Sequence, residues 1–228
     1  MNTYTITVKN DSGNQQDYAL FNAAPTVING VQKQIWSNVF ATANTPPAQT
    51  AEFTVYDQYF AICGHSSGSP AGGVAVTVGQ DLPVTLGVAN PDGTLTPGTT
   101  LTLENSEGAP AFAAAIPSPQ ALANCFEIAT QGDFNSKIAT NDNWMIGLGG
   151  SSTGSGFTGP AATFVPEPSV HYQIQPVNTY FLTFGDYKAG NLIDRTKMAN
   201  QVLLIDFDKL PNSVTVEHDA EGQLVIQK

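Results

Sequence analysis

Alternation with a period of two runs through this chain from end to end, and it limits the fold more than any other feature. Tyr4, Ile6 and Val8 alternate with Thr3, Thr5 and Thr7, and Phe53 and Val55 with Glu52 and Thr54. Val74, Val76 and Val78 alternate with Ala75 and Thr77, and Leu101 and Leu103 flank Thr102. Further apolar runs are Val170-His171-Tyr172-Gln173-Ile174, Tyr180-Phe181-Leu182-Thr183-Phe184, Val202-Leu203-Leu204-Ile205, Val214-Thr215-Val216 and Leu224-Val225-Ile226. Successive strand side chains point to opposite faces, so this pattern builds half-buried strands rich in β-branched and aromatic residues. Asn10-Asp11-Ser12-Gly13, Pro91-Asp92-Gly93, Thr96-Pro97-Gly98 and Lys188-Ala189-Gly190-Asn191 punctuate the runs with turn chemistry. Asp219-Ala220-Glu221-Gly222 reads as the hairpin loop between the last two strands. Turn signals lie about 8–15 residues apart, the rhythm of sandwiches and jelly rolls.

Helical signals are sparse. Ser118-Pro119-Gln120-Ala121-Leu122-Ala123 offers an N-cap serine with proline at the first helical position. Asp194 can cap a turn through Arg195-Thr196-Lys197-Met198-Ala199. The expected fold is therefore all-β: an antiparallel two-sheet β-sandwich of jelly-roll type with one or two short helices. With 41% hydrophobic residues a chain of 228 has material for a real core. The Gly/Ser-rich stretch at 147–156 follows Trp144-Met145-Ile146, which reads as a core strand. It is expected to be a long surface loop, leaving residues 1–228 as a single β-sandwich domain.

Charge narrows the partners. Eight Lys+Arg stand against 19 Asp+Glu, a net charge of −11, and the cations form no cluster. Nucleic acid and anionic membrane surfaces require clustered cations and are excluded. Arg195 is the only arginine, so bidentate recognition of small anions is disfavoured. What remains is a neutral small molecule, a glycan or another protein. No apolar run approaches the ~20 residues of a membrane-spanning helix. The N-terminus reads as a strand from its third residue and shows no signal peptide, so with Met1 as the native start the chain is expected to be soluble, acidic and cytoplasmic. Cys63 and Cys125 lie in apolar segments; they read as buried thiols, with a disulfide in an oxidising compartment as the alternative.

Two motifs resemble catalytic or cofactor signatures and fail on context. Gly64-His65-Ser66-Ser67-Gly68 matches G-x-S-x-G, but no helix can start after Ser66, as a nucleophile elbow requires. Gly154-Ser155-Gly156-Phe157-Thr158-Gly159 matches G-x-G-x-x-G, yet opens onto the extended segment from Pro160 to Pro166. His65, His171 and His218 show no metal-ligand spacing, and neither a metal nor another cofactor is expected. His65, a loop histidine beside Ser66, is the best placed for proton transfer. Glu127, Asp133, Asp142, Glu167 and Asp186 lie near aromatic residues, but their spacing fixes no glycosidase pair.

The two tryptophans carry the functional reading. Sugar sites combine an aromatic face with amide and carboxylate groups that bind hydroxyls. Trp36 has Asn38 two residues on, and Trp144 follows Asp142 and Asn143. Packing in a core is the competing role for each ring. The expectation is a non-catalytic, lectin-like protein that binds a neutral ligand, carbohydrate above all, through Trp36, Asn38, His65, Asp142, Asn143 and Trp144. The first alternative is a cofactor-independent cyclase or isomerase, with an apolar substrate held by residues such as Phe53, Tyr56, Phe181 and Phe184. The second is a structural protein that self-associates into a homo-oligomer through exposed edge strands.

Overall fold

Each alternating run becomes a strand. A computed structural model describes residues 2–29, 34–198 and 200–227. The chain opens with β1 (Thr3–Asn10), β2 (Gln16–Asn22), β3 (Thr26–Ile28), β4 (Trp36–Thr45) and β5 (Thr50–Ser66). Next come β6 (Val76–Val84), β7 (Val88–Ala89), β8 (Leu95–Thr96), β9 (Thr100–Ser106), β10 (Ala109–Phe112) and β11 (Phe126–Thr130). After the short helix α1 (Ser136–Asn141) follow β12 (Trp144–Ser151), β13 (Gly159–Phe164), β14 (His171–Gln175) and β15 (Thr179–Phe184). The last four strands are β16 (Leu192–Ile193), β17 (Leu203–Asp206), β18 (Ser213–His218) and β19 (Leu224–Ile226). In β1 the apolar Tyr4, Ile6 and Val8 are buried while the threonines between them are not, as the alternation requires.

The class is all-β, with the described strands in more than one sheet. A twelve-stranded sheet has the order β17-β15-β2-β4-β13-β12-β5-β1-β18-β19, with β16 added on β4 and β6 on β5. A five-stranded sheet runs β10-β9-β11-β14-β3, and β7 and β8 form a small ribbon. Pairing is antiparallel except for β1 with β18 and β9 with β11. The period-two signal specifies strands but not their partners, so these parallel contacts had no signature.

Two long strands shape the large sheet by changing partners along their length. β5 pairs with β1 through residues 50–56 and with β6 through 59–66. β4 pairs with β2 through residues 39–45, but with β13 and β16 through 36–38. The two arms of the sheet therefore face each other. Tyr4 on β1 stacks on Phe207 just past β17 at 4.7 Å, and one core joins Ile6, Val8, Phe53 and Val216 to Leu20, Leu182 and Ile205. The middle of the same sheet packs through Cys63, Ile146, Leu148 and Phe164 on Leu101, Phe126, Ile128 and Tyr172 of the five-stranded sheet. Burial of these apolar faces, worth ~25 cal/mol per Å² removed from water, is the main force that holds the layers together.

Two local expectations are corrected. Residues 118–123 are extended, not helical: proline at 117 and 119 keeps the preceding residues out of the helical region. Their backbone is satisfied from the side, with Gln120 N donating to Thr100 Oγ1 at 2.9 Å and Leu122 N to Gln173 Oε1 at 2.8 Å. The helix that does form, α1, is capped by Asn135, whose Oδ1 accepts from Lys137 N and Ile138 N. Asp194 caps a 3-10 turn at Arg195–Lys197 as expected. Finally, the Gly/Ser-rich stretch is a loop only from residue 152. Gly147, Gly149 and Gly150 lie within β12, every residue of which is buried. A Cβ on Gly147 would stand 2.1 Å from Ala162 O, so glycine is what lets β13 approach.

Candidate functional site

The residues singled out from the sequence gather near one end of β4, β5 and β12. Trp144 is fully buried, its ring 4.9 Å from that of Phe134. Trp36 is half-buried against the same apolar cluster of Phe134, Trp144, Met145, Val165 and Leu192. Trp144 therefore offers no open face for stacking, and the core-packing role holds for it. Asn38 is also fully buried; its Nδ2 donates to Gly190 O at 3.0 Å and its Oδ1 accepts from Thr163 Oγ1 at 3.0 Å. His65 stands opposite Trp144 in the β5–β12 ladder. Asp142 closes α1 as its C-cap and is exposed, while Asn143 takes a positive φ of 56° and accepts from Ser66 N at 2.9 Å. Ser66 donates its hydroxyl to Gly68 O at 2.7 Å, so the G-x-S-x-G match is a strand end and not an activated nucleophile.

What this framework supports is a surface cleft of about 210 Å³. Its walls are Gly72 and Gly73, residues 186–188 and residues 191–194, with Lys197 and Met198. Backbone bonds lace these loops together: Gly73 N to Leu192 O, Leu192 N to Val74 O, and Gly190 N to Val39 O, each 2.8 Å. The Asn191 amide closes the set by donating to Gly73 O at 2.9 Å. Gly72 lies against Asp194, where a Cβ would come within 2.9 Å of the aspartate Cβ. Asn38 thus acts from behind, fixing the loop that ends at Asn191, and Leu192 belongs both to the tryptophan cluster and to the cleft wall.

The polar groups of the cleft are of two kinds. Asp194 is committed: hydrogen bonds from Thr196 and Lys197 hold its carboxyl below the ordinary range, with Lys197 Nζ at 3.1 Å. Asp186 is exposed beside Tyr187, whose ring packs on the Phe21–Phe181 cluster and whose hydroxyl is pushed up by burial. Sequence reasoning counted Asp186 among five carboxylates near aromatic residues but did not join it to Tyr187 as a binding pair. Its one signal was Asp186 next to an aromatic residue in a glycine-flanked turn. Arg195 lies 3.9 Å above the Phe181 ring, so the one guanidinium is engaged in a cation–π contact.

Other acidic and thiol groups serve the fold. Glu127 is buried, receives Thr100 Oγ1 at 3.2 Å, and pairs with His171 Nδ1 at 2.5 Å. Glu167 accepts from the Ser136 hydroxyl. Cys63 and Cys125 are free, buried thiols, and burial pushes Cys63 up to about 12. Of the four aromatic residues expected to hold an apolar substrate, Phe53 and Phe184 pack in one cluster, Phe181 belongs to another, and Tyr56 lines a small separate pocket. Among the described residues no group of three or more His, Cys, Asp or Glu is placed to hold a metal ion, and no helix is long and apolar enough to cross a membrane.

Fold and site together define an all-β protein with a small cleft that joins an aromatic ring to carboxylate and amide groups. The sequence model of the RhiA family matches residues 1–228, and the chain belongs to the RhiA family. No curated protein and no solved structure matches it.

Proposed function

We propose that this protein binds a neutral, hydroxyl-bearing small molecule or glycan, carbohydrate above all, in the cleft beside Tyr187, without transforming it. The observation that carries the reading is the composition of that cleft: a tyrosine ring adjoining the Asp186 carboxylate, in a protein whose single arginine is stacked on Phe181. Ring faces pack on sugar C–H groups, and carboxylates accept from hydroxyls. At about 210 Å³ the cleft falls below the ~300–1,000 Å³ of drug-sized sites, which suits one sugar ring rather than an extended ligand. The net charge of −11 favours neutral ligands over nucleic acid and anionic membranes. The facing layers around each core are read as sandwich-like, and they hold the cleft loops on a rigid base.

Thermal denaturation against a panel of neutral sugars tests this. A sugar at ~100 times its dissociation constant stabilises by about 2.7 kcal/mol, which for a chain of this size raises the midpoint roughly 5–11 °C. A selective rise that is lost in Tyr187→Ala and in Asp186→Asn is the expected result. A rise that both variants keep would move the site elsewhere, and a flat response across the panel would overturn the carbohydrate reading.

A further inference from the structure

Away from the cleft, three strands lose register around a single point where β5 passes between the two cores. Opposite β2, β4 carries one extra residue, Phe40, between Val39 and Ala41. Opposite β12, β13 carries Ala161 in the same way, and β5 carries Asp57 and Gln58 between Tyr56 and Tyr59. A bulge takes a residue out of the ladder and re-aims its side chain. Phe40, Ala161 and Gln58 all line one small pocket, together with Asn22, Tyr59 and Tyr180.

Two oxygens in this lining have no protein partner: Asn22 Oδ1 and Gln58 Oε1. Asn22 is only 7% exposed and stands directly across from Tyr180 in the β2–β15 ladder. Buried polar atoms are almost always satisfied, and two bare acceptors on residues that line one pocket call for a donor. The pocket offers about 10 Å³, the room of one water and far too little for a sugar. A water molecule carries two hydrogens, one for each oxygen.

We propose that this junction is a binding site for a single internal water that donates to both Asn22 Oδ1 and Gln58 Oε1. The water ties β2 to β5 at the boundary of the two cores and lets three bulges coexist there without leaving buried acceptors bare. It is independent of the sugar-binding reading, because the two sites share no residue.

Two measurements test it on the whole chain. A high-resolution crystal structure is expected to show one density peak ~2.7–3.2 Å from both oxygens. Oxygen-17 relaxation dispersion of the solvent is expected to count one fewer long-lived water in the Asn22→Leu/Gln58→Leu double variant than in the parent. No peak in the parent, a peak with cation-length contacts, or side chains turned to pair with protein groups would each overturn the proposal. An unchanged water count in a folded double variant would do so as well. The crystal structure needs no variant, so a double variant that fails to fold leaves the proposal testable.

Discussion

Gln201 and Leu224 pair as if the glutamine side chain were a short strand: Leu224 N donates to Gln201 Oε1 at 2.5 Å, and Gln201 Nε2 donates to Leu224 O at 3.2 Å. Gln201 lies just ahead of β17 and Leu224 opens β19, the two terminal strands of the twelve-stranded order. The bond therefore spans the seam where the large sheet nearly closes on itself, and it occupies backbone groups that an edge strand would otherwise leave open. Replacing Gln201 by Ala removes both bonds and is expected to cost ~1–3 kcal/mol. Urea unfolding measures it. Gln201→Glu, which keeps an acceptor for Leu224 N but loses the donor, is expected to fall between Ala and the parent.

Acid sensitivity is expected at His218. Its ring is buried between Tyr18 and Phe184, with Nδ1 at 2.9 Å from the Tyr18 hydroxyl. Desolvation lowers its folded-state pKa below 6.5, and the nearby Asp219 only partly opposes this. The unfolded chain thus binds the proton more readily than the native state. His218 carries no penalty above pH 6.5, and stability declines as pH falls below 6.5 until the folded-state value is reached. Equilibrium unfolding from pH 8 to pH 4 should show this decline, and His218→Gln should flatten the part that begins at 6.5. An equal decline in the variant would assign the effect to the carboxylates.

Glycine 147 is a packing requirement. A Cβ there meets Ala162 O at 2.1 Å in a strand enclosed on both sides. Gly147→Ala is expected to destabilise by about 2–4 kcal/mol, as overpacked buried sites do at their upper end. Gly68→Ala, which meets nothing within 4 Å, serves as the control and should stay within ~0.5 kcal/mol. Melting curves of the two variants under one condition decide it.

The Glu127 carboxylate depends on His171. Glu127 is 2% exposed and is bonded by Thr100 and His171 alone among the described residues, while the imidazole itself is 65% exposed. His171→Ala strips the buried carboxyl group of its hydrogen-bonding neighbour, with an expected loss of ~1–3 kcal/mol. Glu127→Gln in the same background should recover part of it, because a neutral amide costs less to bury than a carboxyl group that has lost a partner. Chemical denaturation of the two single variants and the double variant gives the coupling.

The sequence by itself determined the strands, because side-chain alternation is a local property: Tyr4-Ile6-Val8 and Val214-Val216 face inward wherever their strands are placed. It also determined the Asp194 cap and the hairpin around Gly222, whose φ is +78°. Partner choice lay beyond it. The parallel pairing of β1 with β18, the change of partners along β4 and β5, and the bulges at Phe40, Gln58 and Ala161 depend on neighbours far away in the chain. The fate of the tryptophans was decided at the same level. Asn143 and Trp144 read in sequence either as a sugar platform or as a core corner, and it is the packing of Phe134 and Leu192 around the ring that made it a corner. The cleft at Asp186 and Tyr187 likewise exists only because Asn38, Asn191 and Gly73 draw three separate segments together. Local pattern fixes which face of a strand is apolar; long-range packing fixes what that face meets.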